Sequence, residues 1–399
     1  MKHIIAIFSI VLFFIPVLRS ETTSIVYNNK DLERLKEAAK LFDNHEVEAA
    51  LNIFDSLLTI YPEDYAIRYE RGLALFELKK YNEVVKEMED ISKDNSAEPI
   101  VYQLWGKSLA QLGQLNDARM VYLDGLKRFP NAGILFFEIG NIYANHNNPD
   151  RALTFYNAGI EMDPNFAYNY YKGALNYFDS DSEAWGLIYA ESEILLNPNE
   201  ENSKNVMAKG ILDCYSKCIT MKDSLVDVSM APSDDLIARK DKETDFYFRA
   251  PTLIEFCYAA GTGVYFNQDY NPKHFTSIVE LRRKMVDFYF RCANNYFGDG
   301  LYLLAFQKKV IDAGHWDAYN YFLFSDVLLY ECEMWKAEHP DAYHNFIEWY
   351  NNGNKFNLDK DKTVGIRTVY NHVKPMDEIK AVKTLNNIIR SLQEYDRDK

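Results

Sequence analysis

Histidine, cysteine and clustered carboxylates carry most protein chemistry, so their spacing is read first. His339 and His344 lie five apart in His-Pro-Asp-Ala-Tyr-His. On a helix that separation turns them by about 140°, so they do not converge on one ion, and the His-Glu-x-x-His pattern of a zinc hydrolase is absent. Asn357-Leu-Asp359-Lys-Asp361-Lys-Thr363 opens like a calcium loop. It then places Lys362 where the turn glycine belongs and Thr368 where the bidentate glutamate belongs, so a polar loop is the better reading. Gly261-Thr-Gly263 lacks the rest of a phosphate cradle. Asp179-Ser-Asp181-Ser-Glu183 is acidic but falls where a turn is needed. No Gly-x-Ser-x-Gly elbow is present. Cys214 and Cys218 are four apart, one above the other on a helix face, with parallel Cβ vectors that suit a disulfide poorly. Small buried side chains in a helical core are the expectation for them. These patterns predict no catalytic residue, no metal site and no cofactor.

The elements around these residues repeat. Counting in blocks of 34 from Asp31, the eighth residues are Ala38, Gly72, Gly106, Gly140 and Ala174. The twentieth are Ala50, Val84, Ala118, Ala152 and Gly186; the twenty-fourth are Phe54, Met88, Tyr122, Tyr156 and Ala190. The thirty-second are Pro62, Ser96, Pro130, Pro164 and Pro198. Apolar spacing inside each half-block is helical. Small residues at 8 and 20 let two antiparallel helices cross closely, bulky residues fill the layer between them, and the proline stops the second helix. Leu112-Gly113-Gln114 and Asn145-His146-Asn147-Asn148-Pro149 mark turns between the halves. Repeat 2 has Ser96 in the proline column. Repeat 5 has Gly173 at its seventh position and Ala190 at its twenty-fourth.

In these columns the chain resembles the tetratricopeptide repeat family over residues 31–200, as five repeats (31–64, 65–98, 99–132, 133–166 and 167–200). The resemblance implies an all-α, right-handed superhelical solenoid of helical hairpins. It also implies a concave face lined by the first helix of each repeat, whose positions 2, 5, 9, 12 and 13 point inward. On this sequence those positions include Tyr69, Leu73 and Phe76 in repeat 2, and Gln103, Lys107 and Gln111 in repeat 3. Repeat 4 supplies Phe137, Asn141 and Asn145, and repeat 5 supplies Tyr168, Tyr171 and Phe178. Asparagine amides can hold an extended peptide backbone and aromatics beside them can anchor apolar side chains. Members that bind chaperone tails clamp a terminal carboxylate with several Lys, Arg and Asn residues. Only Lys107 is basic among the positions named here, and the sequence departs from that pattern. The resemblance implies a protein or peptide partner.

Beyond Pro198 the phase weakens. Residues 205–221 read as one more helix, and 201–232 as a capping helix or decayed repeat. A charged connector covers 233–245. From 245 to 399 the pattern is helical and rich in aromatics, with helices expected at 251–265, 276–296, 301–313, 316–338, 340–351 and 375–395. Its expected core is Phe288, Tyr289, Phe306, Tyr321, Phe322, Phe324, Leu328, Trp335, Phe346 and Trp349. This half is read as a helical extension of the solenoid or a domain docked on it. A glycan platform built from its aromatics, or an enzyme site within it, are the alternatives to a partner-binding scaffold.

At the N-terminus, Met1-Lys2-His3 precedes an apolar run from Ile4 to Val17, then Leu18-Arg19-Ser20. The run is too short to span a bilayer and has the length of a signal-peptide core, with cleavage expected after residue 20. No cysteine follows it, so no lipoprotein anchor is expected, and no later stretch is apolar enough to span a membrane. The expectation is an exported, periplasmic or secreted protein. The formal charge is −15, which argues against nucleic acid as a partner. Residues 31–200 hold 29 acidic and 15 basic side chains, so the acidity belongs to the repeats.

Overall fold

The structure is a computed structural model that describes residues 27–180, 182–222, 225–228, 274–293 and 302–358. The apolar N-terminal run, the charged connector, Cys257, Gly261-Thr-Gly263 and most of the calcium-loop-like stretch lie outside those residues. So do the helices expected at 251–265 and 375–395.

Each 34-residue block folds as two helices. They are α1 (Asn29–Asp43) and α2 (Val47–Leu58), α3 (Tyr65–Glu77) and α4 (Tyr81–Ile91), α5 (Pro99–Gln111) and α6 (Leu115–Arg128), α7 (Gly133–Asn145) and α8 (Pro149–Met162), and α9 (Ala167–Phe178) and α10 (Glu183–Leu196). From repeat 2 on, first helices begin at Tyr65, Pro99, Gly133 and Ala167, each 34 residues after the last. Pro62, Pro130, Pro164 and Pro198 each sit just past the end of a second helix. The turn between helices is equally periodic: His45, Lys79, Gly113 and Asn147, 34 residues apart, all take a left-handed backbone, with φ of 64°, 59°, 78° and 53°. Glycine takes that conformation freely and asparagine with little strain, so His45 and Lys79 are the strained positions of the series.

The small-residue column does what its chemistry predicts. A Cβ on Gly106 would collide with the ring of Tyr122, the bulky residue of position 24 in the same repeat. Repeat 5 lacks that pair in register and supplies it one residue earlier in both helices. A Cβ on Gly173 would meet the Tyr189 ring at 2.7 Å. Its two departures from the repeat pattern are one compensated shift. Repeat 2 replaces its missing proline with hydrogen bonds. The Asp94 carboxylate accepts from the Ser96 backbone N–H at 2.8 Å and from Ser96 Oγ at 2.6 Å. The Arg128 guanidinium donates to the carbonyls of Ser92 and Asp94, each at 2.7 Å. An arginine of repeat 3 thereby ends the second helix of repeat 2.

The chain divides between His146 and Asn147 into two units. The first holds α1 to α7, with each helix packed on the next. In the second, α11 (Glu201–Cys218) starts 34 residues after α9, in phase as a sixth first helix. It ends at Cys218, three residues before the expected end, because the chain leaves in a short antiparallel hairpin. That hairpin pairs β1 (Ile219–Lys222) with β2 (Leu225–Val228), Ile219 opposite Val228. It is the one departure from an all-α fold among the described residues. The Cys214 and Cys218 Sγ atoms lie 3.7 Å apart in the last turn of α11, unbridged and buried, as is Cys332.

The C-terminal helices are α12 (Phe275–Phe288, continued by a π-helical turn over Tyr289–Ala293), α13 (Tyr302–Asp312), α14 (Trp316–Leu323), α15 (Leu329–Glu338) and α16 (Pro340–Asn351). The helix expected over 316–338 is two helices. The chain turns at 324–328, where the Ser325 hydroxyl donates to the Asp326 carboxylate at 2.8 Å or to the Phe322 carbonyl at 3.2 Å, a local side-chain bond that competes with the helix ladder. Of the expected core, Phe288, Tyr289, Phe306, Tyr321, Phe324 and Phe346 are buried, and Phe322, Leu328, Trp335 and Trp349 pack partly buried against the same core. That core is continuous with repeat 5: Tyr170, Trp185, Ile188 and Tyr189 share it with Val286, Phe306, Trp316 and Tyr319.

A buried polar cluster lies inside this core. Glu191 of α10 accepts from the Arg282 guanidinium of α12 at 2.5 Å, from Gln307 Nε2 of α13 at 2.6 Å, and from the Tyr319 hydroxyl of α14. Arg282 also donates to Asn320 Oδ1 and lies over the rings of Trp316 and Phe324. Both charges are almost fully buried. Removing one leaves the other without a partner in an apolar setting. Glu191→Ala is therefore expected to lower stability by about 3–5 kcal/mol, measured by urea denaturation followed by circular dichroism. A loss below about 1 kcal/mol would show that the cluster contributes little.

Candidate functional site

The first helices of repeats 2, 3 and 4 lie side by side in the first unit, α3 against α5 and α5 against α7. Their spacing brings eight of the twelve expected groove residues to one row of partly open side chains. Leu73, Phe76, Gln103, Lys107, Phe137 and Asn141 are half-buried, while Gln111 and Asn145, at the helix ends, are exposed. The Lys107 ammonium sits 5.8 Å from the centre of the Phe76 ring, and that ring meets Tyr81 edge-on at 5.2 Å. Gln103 Nε2 donates to Glu138 Oε1 at 2.7 Å, linking α5 to α7. The row thus offers aromatic surface, amides and one cation held over an aromatic face. Such a mix suits an extended or helical polypeptide better than a reaction centre.

Tyr69, expected in the same row, is buried instead. Burial, then the charge of the neighbouring Glu70, pushes its hydroxyl well above its ordinary range. Position 5 of repeat 2 is a core position here. Beside it, burial and then Asp43 raise the Glu70 carboxyl to about 8.

The three expected residues of repeat 5 belong to the second unit. Tyr168 and Tyr171 are half-buried on α9, Tyr168 against Phe166 at 5.7 Å and Tyr171 beneath the Lys172 ammonium at 5.9 Å. Phe178, also half-buried, packs on its neighbours. Its ring is wedged against Gly186 of α10 and Gly210 of α11, 2.7 and 2.6 Å from where their Cβ atoms would stand. The first-helix rule points it onto the concave face, but the two facing glycines open a slot that the ring enters.

Glu193 of α10 is not visible in the residue pattern as part of this surface. It is fully buried, and burial raises its carboxyl to about 7 despite the Ser203 hydroxyl, which donates to Oε1 at 2.7 Å. Burial and the charges of Glu200 and Glu193 hold the Tyr168 hydroxyl above its ordinary range, and burial and Glu193 do the same for Tyr171. A glutamate set directly before the apolar Ile194-Leu195-Leu196 is the available signal. Among the described residues no three His, Cys, Asp or Glu side chains are placed to hold a metal ion. His339 stacks on Trp335 with ring centres 4.8 Å apart, and His344 is exposed. No helix among the described residues is long and apolar enough to cross a membrane.

A family model for the tetratricopeptide repeat matches residues 35–83 and 104–165. Similar solved structures include TTC0263, a thermophilic TPR protein of Thermus thermophilus, at 16% identity and a TM-score of 0.38, covering 46% of this chain and 99% of that one. YrrB, a TPR protein with an unusual peptide-binding site, is 22% identical with a TM-score of 0.30, over 45% of this chain and 93% of its own. The human IFIT1 dimer with PPP-AAAA is 13% identical with a TM-score of 0.34, over 81% of this chain and 73% of its own. No curated protein matches the chain.

The Glu193 carboxyl gives a pH prediction. In the unfolded chain it ionises near its ordinary value of 4.5, and in the folded protein near 7. A raised acid is a stabilising contribution at low pH that is lost as pH rises from about 4.5 to about 7. Glu193→Gln should match the parent near pH 4.5 and exceed its stability above pH 7 by on the order of 2–3 kcal/mol. Parallel urea melts at the two pH values measure this; a constant difference between the proteins would remove Glu193 from the account.

Proposed function

We propose that this chain, which carries tetratricopeptide repeats, is a non-enzymatic scaffold that binds a protein or peptide through the first-helix row of repeats 2 to 4. Tetratricopeptide-repeat proteins generally mediate protein–protein interaction. The observation that carries the finer reading is the row on α3, α5 and α7. There Phe76, Lys107, Gln103, Phe137 and Asn141 stay partly open although residues next to them in sequence, such as Leu75, Leu104, Ser108 and Glu138, are buried. Leaving two phenylalanines half in water costs transfer free energy that a partner recovers on binding. The acidic repeats disfavour nucleic acid as that partner. The apolar run of residues 4–17, after Lys2 and His3, supports export of the chain to the periplasm or the medium. Among the described residues of the C-terminal half most aromatics are buried, which gives a glycan platform little support there.

Peptides selected from a displayed random library on the immobilised full chain test this reading. Phe76→Ala with Asn141→Ala should weaken them at least tenfold, about 1.4 kcal/mol. Met120→Ser, at an exposed position on the second helix α6, should change affinity less than about twofold. Peptides indifferent to the first pair, or equally sensitive to Met120→Ser, would place binding elsewhere.

A further inference from the structure

A second surface lies in the C-terminal half, on α15. Seven large apolar side chains are exposed among the described residues, and three of them fall within six residues of this one helix: Leu329 at 66%, Tyr330 at 74% and Met334 at 45%. Tyr330 and Met334 are one helical turn apart and share a face. Isolated exposed apolar residues need no explanation, but a cluster with an aromatic and a methionine at its centre has the composition of an interface core.

The helix that carries the cluster is firmly mounted. Trp335, on its other side, stacks on Tyr321 with centroids 4.5 Å apart and planes 16° apart, and on His339 at 4.8 Å. Cys332 is buried, and its thiol donates to the Tyr321 carbonyl at 3.4 Å. The patch is therefore presented in a fixed orientation, and little ordering is required of it on binding.

The charge around the patch selects its occupant. Glu331, Glu333 and Glu338 are exposed on the same helix. The one base of α15, Lys336, is already engaged: its ammonium lies 2.9 Å from Glu333 Oε1 and 4.8 Å from the centre of the Tyr343 ring. A second copy of this chain would bring two acidic rims together, and an anionic lipid surface would meet the same repulsion. We infer that α15 docks a basic amphipathic helix, with Leu329, Tyr330 and Met334 against its apolar stripe and Glu331 and Glu338 facing its lysines or arginines.

The inference does not rest on the repeat-face reading, since no repeat residue takes part. Its test uses the full chain and two fluorescent helical peptides with one leucine stripe, flanked by lysine in the first and by glutamate in the second. The lysine peptide should bind, and Tyr330→Ser with Met334→Ser should weaken it at least tenfold. The glutamate peptide should bind at least tenfold more weakly than its twin. A second variant, Glu331→Lys with Glu338→Lys, leaves the apolar patch intact and should invert the preference between the peptides. Unchanged affinity for the lysine peptide in the serine variant would mean that bulk acidity alone attracts it, and would overturn the inference. So would a parent dimer that the serine variant converts to monomer, or vesicle binding that depends on Tyr330.

Discussion

Two helices cannot cross closely unless one of them gives up a side chain at the crossing. That steric requirement recurs through the repeats: Gly106 beneath Tyr122 in repeat 3, Gly173 beneath Tyr189 in repeat 5. Close crossing seals each hairpin internally, but the outer faces of its helices remain apolar and have to be covered by the next hairpin. Stacking follows from that remainder, and the row formed by α3, α5 and α7 follows from stacking. The candidate surface is a by-product of how the hairpins bury themselves.

The repeats are legible because the same physics is written five times. Helix starts, proline stops and small-residue positions recur at one spacing, so each confirms the others. Where a column fails, the remedy is not written beside it. The Asp94–Ser96 turn is secured by the reach of Arg128, a contact between residues 34 to 36 apart that no local pattern reveals. A helical rule for concave-face positions does not show that Phe178, unlike Tyr168, has its ring set between two glycines. The slot that receives Phe178 is made by Gly186 and Gly210 on two other helices. Glu193 is hidden for the same reason: its neighbours Ser203, Tyr168 and Tyr171 come from α11 and α9.

The C-terminal half shows the limit of periodicity from the other side. Its aromatic residues signal a core, and most of them form one, but they do not say with what. The answer lies in a single glutamate. Glu191 belongs to the last repeat, yet its carboxylate is met by groups from α12, α13 and α14. An ion pair in so apolar a setting adds little net stability compared with well-packed hydrocarbon. What it adds is selectivity of arrangement, because another docking of those helices on α10 would leave Arg282 facing aromatic rings with no carboxylate.

The uniform interval between first helices, kept from Tyr65 through Glu201, has an evolutionary corollary. A whole block copied or lost between two helix ends would leave the other crossings and turns in register, except where one block caps another, as Arg128 of repeat 3 caps repeat 2. Such an edit would lengthen or shorten the array without redesigning its interior, whereas gaining or losing a few residues inside a block would throw the columns downstream out of step. An array built this way changes length in units of one hairpin far more readily than in smaller steps.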